Sequence, residues 1–208
     1  MAATSPASDP TSAPPAPGPL FLRKFLRDPG GIASVWPSSR HLARAMLAGI
    51  RLQPGDAVVE LGPGTGPFTE RIRGLLDAVP GSAYLGVDLD EEFVALLRRR
   101  HPDIEFVVAD AGNLDQLLAD RPRLRPAAFV SGLPLVSMDR EVVQRLLRTV
   151  HSALPPGGVF RTFSYAHTVL NPASWWLRNL LRARFTEFRV RGPIWRNVPP
   201  ALVFDATK

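Results

Sequence analysis

The chain of 208 residues contains no cysteine and only four histidines. The lack of cysteine excludes disulfide bonds, thiol nucleophiles and thiolate metal ligands. No histidines have the spacing of metal ligands, so we expect no metal site. Long apolar runs are also missing: none reaches the roughly 18 residues that a membrane-spanning helix needs. The chain begins without the basic and apolar segments of a secretory signal, so we expect no such signal.

Composition divides the chain into three parts. Residues 1–19 consist almost entirely of Ala, Pro, Ser, Thr and Gly. Such a segment buries too little apolar surface to offset its chain entropy, so a disordered tail is predicted. Residues 20–52 are predicted to form helices that bind membrane or substrate, and residues 53–208 a cofactor-binding domain. A net charge of +6 and a pI of 10.8 favour an anionic partner, either nucleic acid or an anionic membrane.

The most informative motif occupies residues 58–66 and reads V-V-E-L-G-P-G-T-G. Two β-branched residues followed by alternating glycines are typical of a strand that runs into a tight turn, and residues 67–72 are predicted to begin a helix. Glycine lets the backbone approach a ligand that side chains would exclude. The loop therefore suits a nucleoside-bearing cofactor. Its G-x-G-x-G spacing disfavours the nicotinamide enzymes, whose loop is G-x-G-x-x-G.

Strands and helices alternate after this motif. Further strands are predicted at residues 82–88, 104–110, 127–131 and 158–164. Helices are predicted at residues 91–101, near 113–119 and at 140–153. This alternation indicates a parallel sheet with helices on both faces. Residues 185–191 and 202–206 are predicted to form a hairpin at the edge of that sheet.

The glycine motif, with Glu60 two residues before Gly62, resembles motif I of the class I S-adenosylmethionine-dependent methyltransferases. The resemblance implies a Rossmann-like α/β fold with a seven-stranded, mostly parallel sheet, helices on both faces and a final antiparallel strand. It also implies S-adenosylmethionine as the cofactor, S-adenosylhomocysteine as the product and no metal. Residues 53–208 are accordingly predicted to form the S-adenosylmethionine-binding domain, to which the chain adds an N-terminal amphipathic helix.

Three acids fall at the predicted ends of strands, where doubly wound sheets bind their ligands. Asp88 ends the second strand, where a carboxylate can accept both ribose hydroxyls. The resemblance implies that Asp110 meets the adenine amino group, that Ala111 adds a backbone contact and that Leu89 packs on the adenine ring. Glu60 would orient the glycine loop or meet the amino group of the cofactor, directly or through water. The loop contributes the remaining cofactor-binding residues, Gly62, Gly64 and Gly66.

A second motif, residues 131–135, reads S-G-L-P-L. The rRNA adenine dimethyltransferases, which share the general layout, have Asn-Leu-Pro followed by an aromatic ring that stacks on the flipped base. Here Gly132 stands at the Asn position and Leu135 at the aromatic position. The base-stacking platform is missing, which disfavours nucleic acid as a partner. An aliphatic wall at Leu135 suits a small amine carried on an apolar molecule.

Four segments give a narrower resemblance, to the bacterial phospholipid N-methyltransferases: residues 25–27, 36–46, 131–135 and 195–201. This resemblance spans residues 20–204. It implies methylation of a lipid head-group amine, with phosphatidylethanolamine converted towards phosphatidylcholine. Three alternatives stay open: N-methylation of ornithine lipid or another aminolipid, N6-methylation of adenine in rRNA, and a non-enzymatic cofactor-binding module.

Ser131 and Tyr165 are the predicted catalytic residues. Methyl transfer from a sulfonium is an in-line displacement, so the protein mainly positions the acceptor. An acceptor amine must still lose its proton, to water or to a side chain, because an alkyl ammonium has a pKa near 10. Ser131 opens the second motif. Tyr165 follows the fifth strand and would hydrogen-bond or stack against the amine, unless it is an ordinary half-buried aromatic residue.

The predicted substrate-binding residues are less tied to a motif. Arg196 and Asn197 would bind the lipid phosphate or else pin the turn of the hairpin. Ser38 and Ser39 would close over the cofactor, although capping of a helix that begins after Pro37 accounts for at least one of them. Leu135 completes the predicted set.

Residues 20–28 are predicted to form an interfacial helix. Its apolar face holds Phe21, Leu22, Phe25 and Leu26, and its basic face holds Arg23, Lys24 and Arg27. A short helix of this kind can lie in a membrane interface, so we expect an anionic membrane surface as a partner and a cytoplasmic protein bound peripherally to the inner face of the membrane. A helix containing Trp175 and Trp176 is a second possible contact, or else covers the core.

Overall fold

The computed structural model describes residues 38–208. The predicted tail and the predicted interfacial helix at residues 20–28 lie outside this part of the chain. The helices are α1 (Arg40–Leu47), α2 (Thr69–Asp77), α3 (Glu91–Arg100), α4 (Leu114–Ala119), α5 (Arg140–Ala153) and α6 (Pro172–Arg184). The strands are β1 (Ala57–Leu61), β2 (Ala83–Asp88), β3 (Glu105–Val108), β4 (Pro126–Ser131), β5 (Val159–Tyr165), β6 (Glu187–Ile194) and β7 (Ala201–Thr207).

The seven strands form one sheet in the order β3-β2-β1-β4-β5-β7-β6. β7 runs antiparallel to both of its neighbours, and the other pairings are parallel. The Rossmann-like fold is thereby confirmed. The strand order reverses between β1 and β4, and ligands of doubly wound sheets bind outside the carboxyl ends of the strands at such a point.

Two strand boundaries differ from those expected. β1 continues to Leu61, so Glu60 lies within the strand rather than at its end. β3 stops at Val108 instead of residue 110, because the side chain of Asp110 turns back to accept a hydrogen bond from the Gly112 N–H and begins a short 3-10 helix, Ala111–Asn113. A local side-chain bond of this kind competes with the strand ladder.

Helices bury both faces of the sheet, so its central strand is buried throughout and apolar except at Glu60. All five residues of β1 are buried, as is typical of parallel strands covered on two sides. One core cluster joins Val59 and Leu61 to α5 and α6, and the other joins Val58 to α1, α2 and α3. In α6, Trp176 packs against the first cluster, whereas Trp175 is exposed.

Helix α1 is fastened at both of its ends. At the start, Ser39 Oγ accepts the N–H of Leu42 (3.2 Å), and the N–H of Ser39 donates to Asn197 Oδ1 (2.9 Å). At the end, Arg161 Nη1 donates to the carbonyls of Met46 (2.8 Å) and Ala48 (2.7 Å). A cation at these carbonyls also complements the helix dipole. Strand β5 and the β6–β7 hairpin therefore determine where α1 lies.

Within residues 38–208, no helix has both the length and the apolar character needed to cross a bilayer. The same residues contain no group of three or more His, Asp or Glu side chains arranged to hold a metal ion.

Candidate active site

Two backbone segments meet at the point where the strand order reverses. The Gly62 N–H donates to the carbonyl of Val87 (2.8 Å), and the Gly132 N–H donates to the carbonyl of Leu61 (2.7 Å). A Cβ built on Gly132 would lie 2.5 Å from the carbonyl oxygen of Gly62, and one on Gly62 would lie 2.7 Å from Leu133 Cδ2. Only glycine allows the loop after β1 and the loop after β4 to pack this closely.

A cavity opens beside this junction and holds about 730 Å³ when its mouth is included. The glycine loop, the loop after β4 and the helix starts of α1 and α2 surround it, and Asp88 lies at its edge. Its lining comprises Ser38, Gly62, Pro63, Gly64, Thr65, Pro67, Phe68, Asp88, Phe93, Gly132, Leu133, Pro134 and Phe163.

Asp88 is tied to the glycine loop. Its Oδ2 accepts the Gly64 N–H (2.9 Å) and its Oδ1 accepts the Asp90 N–H (3.0 Å). The structure thus brings the predicted ribose acid and the glycines to one cavity. It leaves the predicted adenine contacts outside the lining: Leu89 is 68% exposed, Asp110 caps the short helix after β3, and Ala111 is buried in the core.

Glu60 is fully buried and lines neither this cavity nor the one beside it. Its Oε2 accepts hydrogen bonds from Tyr84 Oη (2.6 Å) and Thr69 Oγ1 (2.8 Å), whereas Oε1 has no partner among the described residues. Burial raises the pKa of Glu60 to about 7, against the opposing hydrogen bonds from Tyr84 and Thr69. Glu60 thus holds Thr69 at the start of α2, directly after the glycine loop. Its orientation of that loop and its contact with the cofactor amino group both stay predictions.

A second cavity of about 490 Å³ adjoins the first. Gly132, Leu133, Pro134 and Phe163 line both cavities, so these four residues form the boundary between them. The remaining lining is neutral and comes from the loop after β4, the end of β5 and the segment that leads into α6. It comprises Leu135, Val136, Ser137, Ser164, Tyr165, Thr168 and Asn171.

Aromatic rings form a row along the two cavities. The Phe163 ring lies 6.0 Å from that of Phe68 and 5.7 Å from that of Tyr165, edge to face in both cases. His167 stacks on Tyr165 at 5.8 Å. Burial raises the pKa of Tyr165 above its ordinary value, so its phenol stays protonated near neutral pH. The structure places Tyr165 in the second cavity, where the sequence predicted contact with the acceptor.

The catalytic role predicted for Ser131 is not supported. Ser131 is fully buried and lines neither cavity, and its hydroxyl oxygen accepts the N–H of Leu133 (3.3 Å). It therefore shapes the turn of the second motif, and its contact with an acceptor stays a prediction. Leu135 reaches the second cavity as expected, but it is only 2% exposed and belongs mainly to the core.

The predicted substrate residues separate into two groups. Ser39 caps α1 and Asn197 is 3% exposed, with its amide donating to the carbonyl of Pro199 (2.7 Å) while its oxygen accepts from Ser39. These two residues hold backbone together, which favours the second role expected for Asn197, that of pinning the hairpin turn, and its contact with a lipid phosphate stays a prediction. Ser38 lines the first cavity and Arg196 is exposed, which leaves both available to a ligand.

The sequence did not single out several lining residues. Phe68 and Phe93 stand at the starts of helices, and Thr168 and Asn171 stand in the segment after β5. No motif marks these positions. The sequence could have identified Phe163 as a lining residue, because it lies two residues before Tyr165 in one strand and alternate strand residues share a face.

Comparison with known proteins identifies the domain. The family described as "Methyltransferase domain" matches residues 58–158. An ornithine lipid N-methyltransferase from Singulisphaera acidiphila is 34% identical over 186 residues, which cover 88% of this chain and 91% of that protein. The chain belongs to the class I S-adenosylmethionine-dependent methyltransferases.

Two further similarities are weaker, the first in the share of the chains that it covers and the second in sequence identity. A ribosomal RNA small subunit methyltransferase A from Synechococcus elongatus is 30% identical over 121 residues, covering 55% of this methyltransferase and 41% of that protein. The crystal structure of Burkholderia thailandensis 1,6-didemethyltoxoflavin-N1-methyltransferase, solved with S-adenosylhomocysteine bound, superimposes with a TM-score of 0.58. It is 19% identical and covers 98% of this chain and 94% of that one, so it supports the fold alone.

The first cavity of the methyltransferase fits S-adenosylmethionine. The backbone at Gly64 faces open space, since a Cβ there would meet no atom within 4 Å, and the carboxylate of Asp88 lies beside it. We expect the glycine loop to hold the methionine part and Asp88 the ribose. The bound cofactor supplies an activated methyl group on a sulfonium, and the protein contributes the position of the acceptor.

Proposed function

We propose that this methyltransferase methylates the head-group amine of a membrane aminolipid, with ornithine lipid as the favoured acceptor. The resemblance of the sequence motifs pointed first to phosphatidylethanolamine, which becomes the second candidate. The Singulisphaera acidiphila relative supports the change, because its similarity extends over nearly the whole of both chains. Both lipids present a primary amine close to an anionic group and carry acyl chains.

The observation on which the proposal depends is the neutral lining of the second cavity. Eleven residues of the described part of the chain, 38–208, line it; Tyr165 is the only titratable one among them, and none is a carboxylate. Burial in such surroundings disfavours the charged form of an amine and lowers its pKa. An amine that enters the cavity therefore loses its proton readily, which frees the lone pair that attacks the methyl group.

The boundary residues support a reaction next to Phe163. This ring lines both cavities, so an amine that contacts it is next to the cofactor site. Methylation makes the nitrogen cationic again, and aromatic faces attract such cations by about 0.5–2 kcal/mol. Phe163 and Tyr165 offer two faces to the methylated product. No general acid or base is needed at this step, since the neutral amine is itself the nucleophile.

The rest of the lipid would lie outside the cavity. Arg196 is exposed in the β6–β7 loop, whose next residue, Asn197, contacts the start of α1. A guanidinium suits either a phosphate or a carboxylate, because its fork of donors matches both. We propose that Arg196 contacts the anionic group of the head group at the surface of a membrane, where the protein binds peripherally on the cytoplasmic side.

A third candidate, with a different class of acceptor, is methylation of adenine in rRNA. It is favoured by the similarity of residues in the methyltransferase domain to ribosomal RNA small subunit methyltransferase A. It is opposed by Leu135, which is aliphatic and almost fully buried and therefore offers no face to a base. The limited share of the chain that takes part in this similarity also makes it the weaker candidate.

Transfer of a radiolabelled methyl group from S-adenosylmethionine tests the proposal. The full chain is incubated with ornithine lipid, with phosphatidylethanolamine and with ribosomal RNA in separate reactions, and Asp88→Ala serves as the cofactor-deficient control. We expect label in ornithine lipid, at a rate that rises with pH as the neutral fraction of the amine increases. Label in phosphatidylethanolamine alone would keep the chemistry and change the acceptor, and label in RNA alone would contradict the proposal.

A further inference from the structure

The large hydrophobic side chains that the described residues expose are concentrated at one edge of the protein. Five are more than half exposed, and all five lie on segments that follow the carboxyl ends of β2, β5 or β6. Leu89 belongs to the cofactor side. The other four are Leu170 (86% exposed), Trp195 (74%), Val198 (65%) and Trp175 (58%). Such exposure of large apolar groups at one place is typical of an interaction site.

These four side chains come from two segments that flank the second cavity. The Ala166 N–H donates to the carbonyl of Pro200 (2.7 Å), so the segment after β5 lies against the β6–β7 loop. Asn171, which follows Leu170, lines the cavity itself. On the far side of the β6–β7 loop, Asn197 is bonded to the start of α1. The exposed apolar groups therefore border the entrance through which an acceptor would reach Phe163.

Basic side chains lie next to this apolar edge. Arg40 and Arg71 line one surface pocket together with Ser38, and Arg196 precedes Asn197, which is bonded to Ser39. The pKa of His41, on the first turn of α1, is lowered by burial and then by the guanidinium groups of Arg196, Arg40, Arg44 and Arg71. No ion pair joins these four arginines to a carboxylate within residues 38–208. The acid next to Arg71 in sequence is Glu70, which pairs with Arg100 instead (3.3 Å).

We propose that this edge, here called the docking face (Leu170, Trp175, Trp195 and Val198 with Arg40, Arg44 and Arg196), binds the surface of an anionic lipid bilayer. Tryptophan favours the membrane interface, apolar side chains beside it enter the boundary of the acyl chains, and nearby arginines are attracted to anionic lipids. The inference rests on the proposed function only in choosing a lipid surface over other anionic partners. It would place the second cavity directly over the bilayer.

Sedimentation with vesicles tests the docking face in the full chain. The double variant Trp195→Ser with Val198→Ser removes two apolar groups, and Val190→Ser is the matched control because Val190 is exposed (41%) on β6 of the same hairpin. With vesicles of phosphatidylcholine and phosphatidylglycerol, we expect the double variant to partition about tenfold more weakly. We expect Val190→Ser to bind as the wild type does, and all three to bind less to phosphatidylcholine alone.

Several outcomes would overturn the docking face. These are equal binding by the double variant and the wild type, an equal loss in Val190→Ser, and binding of the wild type to RNA but not to vesicles. Methyl transfer to aminolipid in detergent micelles separates this inference from the proposed function. The double variant should keep that activity, because neither residue lines a cavity; its loss would assign the residues to acceptor binding instead. Vesicle binding without methylation of any lipid would leave the docking face intact and contradict the proposed function.

Discussion

Two parts of the active site are built from the sequence in different ways. Around the glycine loop, the contacts span few residues: Glu60 bonds to Thr69 nine residues later, and Gly64 bonds to Asp88 24 residues later. The contacts that join α1 to β5 and to the β6–β7 loop span much more of the chain: Asn197 bonds to Ser39 across 158 residues, and Arg161 bonds to Met46 across 115. A sequence motif can describe the first kind of contact, because the residues that it joins are close in the chain. No motif describes contacts of the second kind.

The largest effect is expected where the loop after β1 and the loop after β4 meet. Gly132→Ala places a Cβ 2.5 Å from the carbonyl oxygen of Gly62, so the two loops must move apart. We expect a loss of about 3 kcal/mol in the free energy of unfolding. If the same free energy is lost from cofactor binding, the affinity for S-adenosylmethionine falls roughly 150-fold, since each tenfold corresponds to about 1.4 kcal/mol. Urea denaturation and calorimetric titration measure these two quantities.

Gly74→Ala is the control for this variant. Gly74 lies within α2, and a Cβ there would meet no atom within 4 Å. Alanine should stabilise the helix by up to about 1 kcal/mol. If Gly132→Ala were as stable as Gly74→Ala and bound S-adenosylmethionine as tightly, the close packing of the two loops would be needed neither for folding nor for cofactor binding.

The next effect concerns the buried acid of the cofactor side. Glu60 has a folded-state pKa of about 7 against an ordinary value of 4.5. Between these two pH values the folded protein keeps a proton that the unfolded chain releases, so stability falls as pH rises through this window. The fall in the free energy of unfolding over this window is about 3 kcal/mol. Glu60→Gln removes the titration, and its stability relative to the wild type should rise by this amount from pH 4.5 to above pH 7.

Urea denaturation of both proteins across that pH range checks the prediction. The remaining carboxylates are common to the two proteins, so their contributions cancel in the difference. A difference that does not change with pH would mean that Glu60 is ionised in the folded state at pH 4.5 to 7, and that its environment is less apolar than the geometry indicates.

A third effect distinguishes two of the predicted cofactor residues, Asp88 and Asp110, by how much affinity is lost when each is replaced. Asp88→Ala removes the carboxylate beside the glycine loop, and we expect affinity for S-adenosylmethionine to fall about 100-fold, because hydrogen bonds to a charged group contribute about 1.5–3 kcal/mol. Asp110→Ala should cost less than about tenfold, since Asp110 caps a helix outside the cavity lining. Calorimetry compares the two variants. Equal losses of affinity would support the adenine contact that the family resemblance implied for Asp110.

The smallest effect separates two neighbours on the acceptor side. Asn197→Ala leaves the N–H of Ser39 without its partner, and we expect a loss of about 2 kcal/mol in stability. Arg196→Ala should change stability by less than about 0.5 kcal/mol but raise the KM for the lipid. Thermal unfolding and methyl-transfer kinetics distinguish these results. A stable Asn197→Ala variant with a raised KM would return Asn197 to substrate binding.

The fold followed from the sequence because each of its signals is local. Alternating apolar strands, glycine turns and amphipathic helices predicted the seven-stranded sheet, and the hairpin at 185–191 and 202–206 was confirmed as β6 and β7. On the site, the glycine motif located the loop and Asp88. It could not tell that Ser131 is buried, because the burial of a strand residue depends on the helices that cover the sheet.

The acceptor side shows the same limit more strongly. Asn197 and Arg196 are adjacent polar residues in one loop, and nothing in their order tells which one faces inwards. The structure resolves this through the long-range bond between Asn197 and Ser39. Thr168 and Asn171 reach the second cavity because the segment after β5 turns back over it, a path that no short pattern encodes.

The clamping of α1 has a consequence for how the first part of the chain communicates with the cofactor. Arg161 fixes the end of this helix to β5, while its start places Ser38 in the wall of the cofactor cavity, so residues 1–37 are joined to the fold at that wall. The helix is thus held at both ends, by Asn197 at its start and by Arg161 at its end. A displacement of its start would change the wall of the cavity, and by thermodynamic reciprocity an occupied cavity would oppose that displacement.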